Sequence, residues 1–193
     1  MAGVTVEQVL ARSSRAHGLV EPVGSIAQAI VAAAGIYGTA PTSHLGLAAR
    51  MADYTPAALE RARLEERSIM RTPGPRGSVF LAPRELVPAC LGLSRPGTAR
   101  RTLTNEGLTN EGLTEIELGR LMDRIDSQLT EGSLTARELR ARLGPDDPGG
   151  PRTTLVLRTM VGEGRVVAAE PVGGERATAY RYASLAAWAP GLG

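Results

Sequence analysis

The chain has 193 residues, and all 22 of its basic residues are arginine, because the sequence contains no lysine. With 20 acidic residues the formal net charge is +2, which excludes a histone-like polycation and an acidic tail protein. A hydrophobic content of 42% is enough to bury a core and excludes disorder over most of the chain. The arginine usage has two open explanations: the codon bias of a GC-rich genome, or selection for a guanidinium that binds phosphate through paired hydrogen bonds.

The rare residue types exclude several chemistries. A single cysteine, Cys90, cannot form an internal disulfide or a zinc site, and two histidines, His17 and His44, without a nearby cysteine argue against a metal centre. We therefore expect no metal and no cofactor. The longest uncharged stretch, Pro22–Ala49, is interrupted by polar residues and glycine, so it predicts no membrane span. No signal-peptide pattern opens the sequence, and a reducing cytoplasm is the expected location.

Capping signals predict the first helices. Thr5 and Ser25 each have a glutamine three residues later, which is the spacing of a capping box, and each precedes an apolar stretch. The second of these helices contains the run AIVAAA and is expected to end with Gly35 as a left-handed C′ residue. A loop over Ile36–Thr42 and a third helix follow, and a fourth helix begins at Thr55 with proline in its first turn.

The pattern then changes to that of a hairpin. Ser68–Thr72 and Ser78–Leu81 are short strand-like runs on either side of the turn sequence PGPRG. A short helix over Pro83–Leu91 is predicted next. Three or four helices followed by a hairpin is the chain order of a winged helix, so we predict a first winged-helix module over residues 1–93.

Residues 94–112 have the composition of a linker. From Leu103 onward the sequence LTNEG occurs twice in succession, and a repeat of five residues is too short for a solenoid unit. Threonine, asparagine and glycine favour turns here. The formal charge is −5 over residues 102–150, between basic segments of +4 over 51–101 and +2 over 151–193. We predict that this linker separates two domains.

Residues 113–193 predict a second winged helix. A helix ending near Leu129 has one apolar stripe with spacing i, i+3, i+4, i+7 and i+11, formed by Leu118, Leu121, Met122, Ile125 and Leu129. Thr135 with Glu138 forms a capping box for a short helix over Ala136–Leu143. A third helix begins at Pro151, and its predicted inward side chains are Leu155, Leu157, Met160 and Val161.

Two predicted strands, Arg165–Ala169 and Arg176–Tyr182, form the hairpin wing of this second module. The predicted fold class is therefore α+β, mainly α with small β-hairpins, arranged as tandem winged helix-turn-helix modules.

Several arginines and threonines are candidates for contact with double-stranded DNA. In a helix-turn-helix protein the second helix of the pair enters the major groove, and here its early positions are Arg152, Thr153, Thr154 and Arg158. The wings offer cations for phosphates: Arg176 and Arg181 in the second module, and Arg71 and Arg76 in the first. A role in binding a protein partner instead of DNA stays open, because winged helices serve both purposes.

Motifs for catalysis are absent from the pattern itself. No Ser-His-Asp order, phosphate-binding loop or paired-carboxylate motif is evident. His44 is interpreted as a histidine hydrogen-bonded near the core in preference to a catalytic base. Tyr180 and Tyr182 are expected to pack against Trp188 or the wing.

Three runs resemble the AlkZ/YcaQ-like family of winged-helix DNA glycosylases. They are GIYGTAPTSHLGLAAR over 35–50, TPAALERA over 55–62 and RSIMRTPGPRGSVFLAP over 67–83, and the similarity extends to Trp188. The resemblance covers nearly all of this chain but only about the N-terminal half of a typical member. It implies tandem winged helices around a central channel, and metal-free hydrolysis of the N-glycosidic bond of alkylated or crosslinked bases.

The same resemblance implies where catalysis takes place. Members of the family hold a water molecule with a Gln-x-Gln or Gln-x-Asp motif, and in this sequence the two positions are Tyr37 and Thr39. The Thr39 hydroxyl is the candidate to hold the water, and the Tyr37 phenol is a candidate hydrogen-bond donor. No carboxylate lies between Glu21 and Asp53 to act as a base. Because the chain has no lysine to form a Schiff base, any base excision is expected to be hydrolytic, without a lyase step.

Three hypotheses remain at this point. The first is a DNA-binding member of this family that acts as a glycosylase or descends from one. The second is a winged-helix transcriptional regulator without enzymatic activity, and the third is a partner-binding fragment without DNA contact. A homodimer, or a partner chain that supplies the missing half, is the expected way to complete the protein.

Overall fold

The computed structural model describes residues 3–38, 42–75, 78–94, 100, 101, 104, 113–144, 150–173 and 179–192. The chain forms two compact units. Unit 1 comprises Met1–Met70 and Val79–Arg84, and unit 2 comprises Arg71–Ser78 and Glu85–Gly193. The predicted domain boundaries at 93 and 113 stay a prediction, and nearly all of the duplicated LTNEG segment lies outside the described residues.

Unit 1 begins with helices whose caps were predicted. Helix α1, Val6–Ala16, has a complete capping box: the Gln8 N–H donates to the Thr5 hydroxyl at 3.3 Å, and the Thr5 N–H donates to the Gln8 side chain at 3.1 Å. Helix α2, Ile26–Ala32, has half of one, because the Gln28 side chain accepts from the Gly24 N–H at 3.1 Å instead of from Ser25.

The end of α2 differs from the prediction. The first left-handed residue after the helix is Ala34, with φ of 55°, and Gly35 follows with φ of 109°. Gly35 also lies close to an aromatic ring, since a Cβ at this position would stand 3.2 Å from Cδ1 of Phe80. A glycine is therefore required both by the backbone conformation and by the space.

A short strand replaces part of the predicted loop after Gly35. Strand β1, Ile36–Tyr37, pairs antiparallel with strand β3, Val79–Pro83, so that Tyr37 lies opposite Phe80. The prediction of a loop was wrong at these two residues, because pairing with a strand more than 40 residues away leaves no local signal.

The rest of unit 1 surrounds a small aliphatic core. The elements are helix α3, Thr42–Ala48, helix α4, Pro56–Leu64, capped by Thr55, and strand β2, Ile69–Pro73, which runs into unit 2. The order of strands in the sheet is β1-β3-β2. The buried residues of this core are Ala29, Ile30, Ile36, Leu47, Leu59, Ala62, Ile69 and Leu81.

Unit 2 contains helix α5, Val87–Leu93, which follows a 3₁₀ turn over Arg84–Leu86, and helix α6, Glu115–Leu129. All five residues of the predicted stripe on α6 are buried, which confirms that prediction. Strand β4, Leu134–Thr135, was not predicted. Helix α7, Ala136–Leu143, has the predicted capping box, with the Glu138 N–H 3.1 Å from the Thr135 hydroxyl.

Helix α8, Gly150–Gly162, strand β5, Val166–Pro171, strand β6, Tyr180–Ser184, and helix α9, Leu185–Trp188, complete unit 2. Val156, Leu157 and Met160 are fully buried, whereas Leu155 and Val161 pack partly buried against the core. The sheet order is β4-β6-β5.

The same series of elements therefore occurs twice: helix, short strand, two helices, hairpin. In both sheets the last strand of the series lies between the other two, as the orders β1-β3-β2 and β4-β6-β5 show. Helices with two small antiparallel sheets confirm the α+β fold class.

Candidate nucleic-acid interface and catalytic position

Tyr37 stands on an open edge of unit 1. Its ring stacks on that of Phe80, with centroids 4.9 Å apart and an angle of 23° between the ring planes, yet Tyr37 keeps 54% of its surface exposed. The neighbouring Ile36 is buried in the core opposite Leu81, and the Gly38 N–H donates to the Val79 carbonyl at 2.8 Å. The predicted catalytic position thus projects from a strand anchored on both sides of Tyr37.

The second predicted catalytic residue, Thr39, lies outside the described residues. The nearby histidine agrees with its structural interpretation, since Nδ1 of His44 is hydrogen-bonded to the Tyr54 hydroxyl at a partly buried position. Tyr54 itself packs against the core of unit 1.

Arg71 is held inside unit 2. The side chain is 9% exposed, and its guanidinium carbon lies 3.9 Å from the centroid of the Tyr180 ring, in a cation–π contact. The sequence predicted that Arg71 would reach phosphate from an open hairpin, whereas the structure buries it against β6. Its companion Arg76 lies outside the described residues.

Helix α8 presents only part of its predicted recognition surface. Thr154 and Arg158 are exposed, but Thr153 is 0% exposed, so its hydroxyl does not reach a base edge in this conformation. The side chain of Arg152 is outside the described residues. The spacing of four residues that exposes Thr154 and Arg158 would have excluded Thr153 had the full helical period been applied.

Two arginines near β6 affect the pKa of the Tyr182 hydroxyl. Burial raises the pKa of the Tyr182 hydroxyl, and the positive charges of Arg71 and Arg158 lower it in part. Tyr182 packs against the core of unit 2, while Tyr180 supports Arg71. Tyr182 therefore packs inside its unit as expected, whereas the contact between Tyr180 and an arginine was not predicted.

Arg181 is bound to the protein itself. Its Nε donates to the Ser133 hydroxyl at 3.1 Å, and the guanidinium lies 3.4 Å from Glu138 and 3.7 Å from Glu170. A second nitrogen donates to the Ser133 carbonyl. These contacts tie β6 to β4, β5 and the first turn of α7. The predicted wing residue Arg176 lies outside the described residues.

Sequence reasoning missed two features of these surfaces. Phe80 was read only as a strand residue, although it is the single phenylalanine of the chain. Helix α7 exposes Arg137 and Arg140 on one side and Arg142 on another, and none of the three was predicted as a contact. The spacing of three residues between the first two was the available signal.

The described residues contain neither a metal-binding cluster nor a membrane-spanning helix. Within them, no group of three or more histidine, cysteine, aspartate or glutamate side chains is arranged to hold a metal ion. None of the helices over the same residues combines the length and apolar character needed to cross a membrane.

Comparison with known proteins identifies the family of this chain. The model of the family described as DNA glycosylase AlkZ-like matches residues 31–193. The solved structure of the Streptomyces sahachiroi DNA glycosylase AlkZ is similar in fold, with a TM-score of 0.72 and 18% sequence identity over 96% of this chain and 50% of that chain. This chain thus spans about half the length of that structure, and no curated protein sequence matches it. Because the family model covers most of the sequence, the chain belongs to the AlkZ-like DNA glycosylase family.

Proposed function

We propose that this protein binds alkylated double-stranded DNA and removes the modified base by hydrolysis of the N-glycosidic bond. The observation that carries the proposal is the family match over residues 31–193. That range contains Tyr37 and Thr39, the two residues that we propose for the position of the family's catalytic motif. The described part of that position, Tyr37, is exposed and therefore open to a substrate.

The proposal assigns each series of elements to a winged helix. Support comes from the repeated order of helix, short strand, two helices and hairpin, with the same strand order in both sheets. In this assignment α8 is the recognition helix of the second module, and its exposed Thr154 and Arg158 face the duplex. Arg158 supplies a charge for a phosphate or a guanine edge. Arg76, Arg152 and Arg176 remain proposed contacts of the same kind.

The reaction needs little chemistry from the protein. A purine alkylated at N7 carries a positive charge, so it leaves as a neutral base when the C1′–N9 bond breaks and takes both electrons of that bond. The oxygen of a water molecule then bonds to C1′ and releases its proton to solvent. In the proposal Thr39 holds that water, and the chain has no lysine side chain to form a Schiff base, so we expect an abasic site in an uncut strand as the product.

Base release is the test. Duplex DNA with a single N7-methylguanine is incubated with the protein, and free base is measured by chromatography. We expect release above the spontaneous rate, loss of that release in Thr39→Ala, and no change in the matched threonine variant Thr130→Ala in unit 2. If the wild-type protein releases base only at the spontaneous rate while it binds the duplex, the hydrolytic part of the proposal is wrong.

A further inference from the structure

We infer that the stacked rings of Tyr37 and Phe80 form a platform that binds the flat face of a cationic, N-alkylated purine extruded from the duplex. The inference deepens the proposed function by naming what the catalytic edge selects, and it rests on that function for access of DNA to this edge. Tyr37 thereby determines specificity, independently of the residue that holds the water.

Strand pairing and the core of unit 1 hold the platform in place. Tyr37 and Phe80 are direct cross-strand partners, so their side chains leave the same face of the sheet. The preceding pair, Ile36 and Leu81, is buried in the core of unit 1, which fixes the register. Gly35 allows the Phe80 ring to approach the backbone, where a Cβ would stand only 3.2 Å from that ring. The two rings are therefore held before any ligand arrives.

Tyr37 is accessible although its ring is stacked. Phe80 lies against one face of the ring at a centroid distance of 4.9 Å, and the tyrosine still exposes 54% of its surface. The chain has only six aromatic residues, counted as one tryptophan, four tyrosines and one phenylalanine. Two of these six form this pair at an edge, although a ring placed in the core would bury more apolar area. Their position is explained by a ligand that stacks.

The two aromatic rings favour a positively charged ligand. The face of an aromatic ring is the negative end of its quadrupole, so it attracts a positively charged planar group more strongly than a neutral one. An N7-alkylated purine is both planar and positively charged, and a glycosylase must take its target base out of the stack. No carboxylate lies between Glu21 and Asp53 in the sequence, so on this segment the rings take the place of an acidic group.

The equivalent edge of unit 2 shows that the fold does not require these rings. In the second series of elements the pair corresponding to Tyr37 and Phe80 is Thr135 and Arg181, at the same place in the sheet order. Those two side chains cap a helix and bind carboxylates of their own unit. The same backbone position is thus satisfied without any aromatic residue, which separates the ring pair from a structural need of the fold.

Binding selectivity tests the inference. Fluorescence anisotropy compares three duplexes that differ at one base: 2′-fluoro N7-methylguanine, which keeps its glycosidic bond, the uncharged isostere 7-deaza-7-methylguanine, and guanine. We expect the cationic duplex to bind roughly fivefold to thirtyfold tighter than the uncharged one. Tyr37→Phe should keep this ratio and Tyr37→Leu should reduce it to about one. Leu45→Ala, which alters an apolar side chain that is 71% exposed in the same unit, should leave it unchanged.

A second readout is independent of duplex binding. Because Phe80 is the only phenylalanine, selective labelling gives one set of ring signals in the NMR spectrum. N7-methylguanosine should shift these signals in the wild type, and guanosine should shift them much less. Equal responses to the two nucleosides, or a selectivity ratio that survives Tyr37→Leu in a folded variant, would overturn the inference. Selectivity without base release would contradict the proposed hydrolysis and leave the platform supported.

Discussion

The two sheet edges of this protein have the same topology and opposite chemistry. At the edge of unit 2, Thr135 and Arg181 are paired across β4 and β6, and both are engaged with Glu138. At the edge of unit 1, Tyr37 and Phe80 occupy the corresponding pair and form an exposed ring stack. The same arrangement of strands can thus carry a side-chain pair that is bound by its own unit, as in unit 2, or a pair that stays exposed, as in unit 1.

The length of the connection after the short strand explains the difference. In unit 2 the last strand residue, Thr135, is also the N-cap of α7, so its hydroxyl accepts a hydrogen bond from the first turn. In unit 1 four residues, 38–41, separate Tyr37 from the start of α3. Tyr37 therefore has no helix to cap, and its side chain is released for another use.

The largest expected effect comes from disrupting the edge of unit 2, where Arg181 is bound by the protein itself. Arg181→Ala deletes the contacts with Ser133 and the nearby carboxylates, and we expect a loss of about 1–2 kcal/mol in the free energy of unfolding, measured by urea denaturation. The salt dependence of DNA binding should stay unchanged, because this guanidinium is already occupied.

Arg158→Ala is the matched variant for that experiment, because Arg158 is an exposed arginine of the same unit. We expect its stability to stay within about 0.5 kcal/mol of the wild type. The slope of log affinity against log salt concentration should fall by about 0.9 if Arg158 neutralises one phosphate. A reduced slope for Arg181→Ala with no loss of stability would contradict the contrast between the two arginines.

The capping boxes of α7 and α1 allow a further comparison between the two units, with a smaller expected change in stability. Thr135→Ala should cost about 1 kcal/mol of global stability, because α7 buries Leu139 and Leu143 in the core. Thr5→Ala removes the same motif from α1, a fully described helix in which no residue is buried. We expect faster amide exchange within α1 and an unchanged urea midpoint. Equal shifts of the midpoint in the two variants would show that α1 is more tightly packed than its exposure indicates.

The smallest effect is a dependence on pH. Hydrogen bonds from the Thr135 N–H and hydroxyl lower the pKa of Glu138 below its usual value. A lowered pKa in the folded state stabilises the protein above the ordinary pKa of glutamate, and this contribution is lost as the pH falls through and below about 4. The stability difference between wild type and Glu138→Gln should therefore shrink between pH 6 and pH 3. A difference that is constant over this range would mean that the ionised carboxylate adds nothing to the cap.

Local signals predicted much of the backbone correctly. The stripe of α6 and the capping boxes of α1 and α7 depend on residues three or four apart, and the two hairpins depend on short strand runs beside turn residues; this short range is readable in sequence. The strands β1 and β4 were missed, because two residues carry no periodicity and their partners lie far along the chain.

The candidate site was predicted less well than the fold. Residue type suggested that Arg71, Thr153 and Arg181 would contact DNA, but Arg71 and Thr153 are buried and Arg181 is bound by the protein. Burial depends on which elements pack against a side chain, and the sequence around these residues does not specify those neighbours. Thr154 and Arg158 are exposed, and their role in DNA binding stays a prediction.

By itself the sequence determined most of the helices, the hairpins and the resemblance that led to the family, since each depends on neighbouring residues or on short runs. It also determined that no lysine is present for a Schiff base. The tertiary structure alone decided that Tyr37 stacks on Phe80 and that Arg71 lies over Tyr180. Both contacts join residues more than 40 positions apart, so their energies depend on strand pairing and packing that no local pattern records.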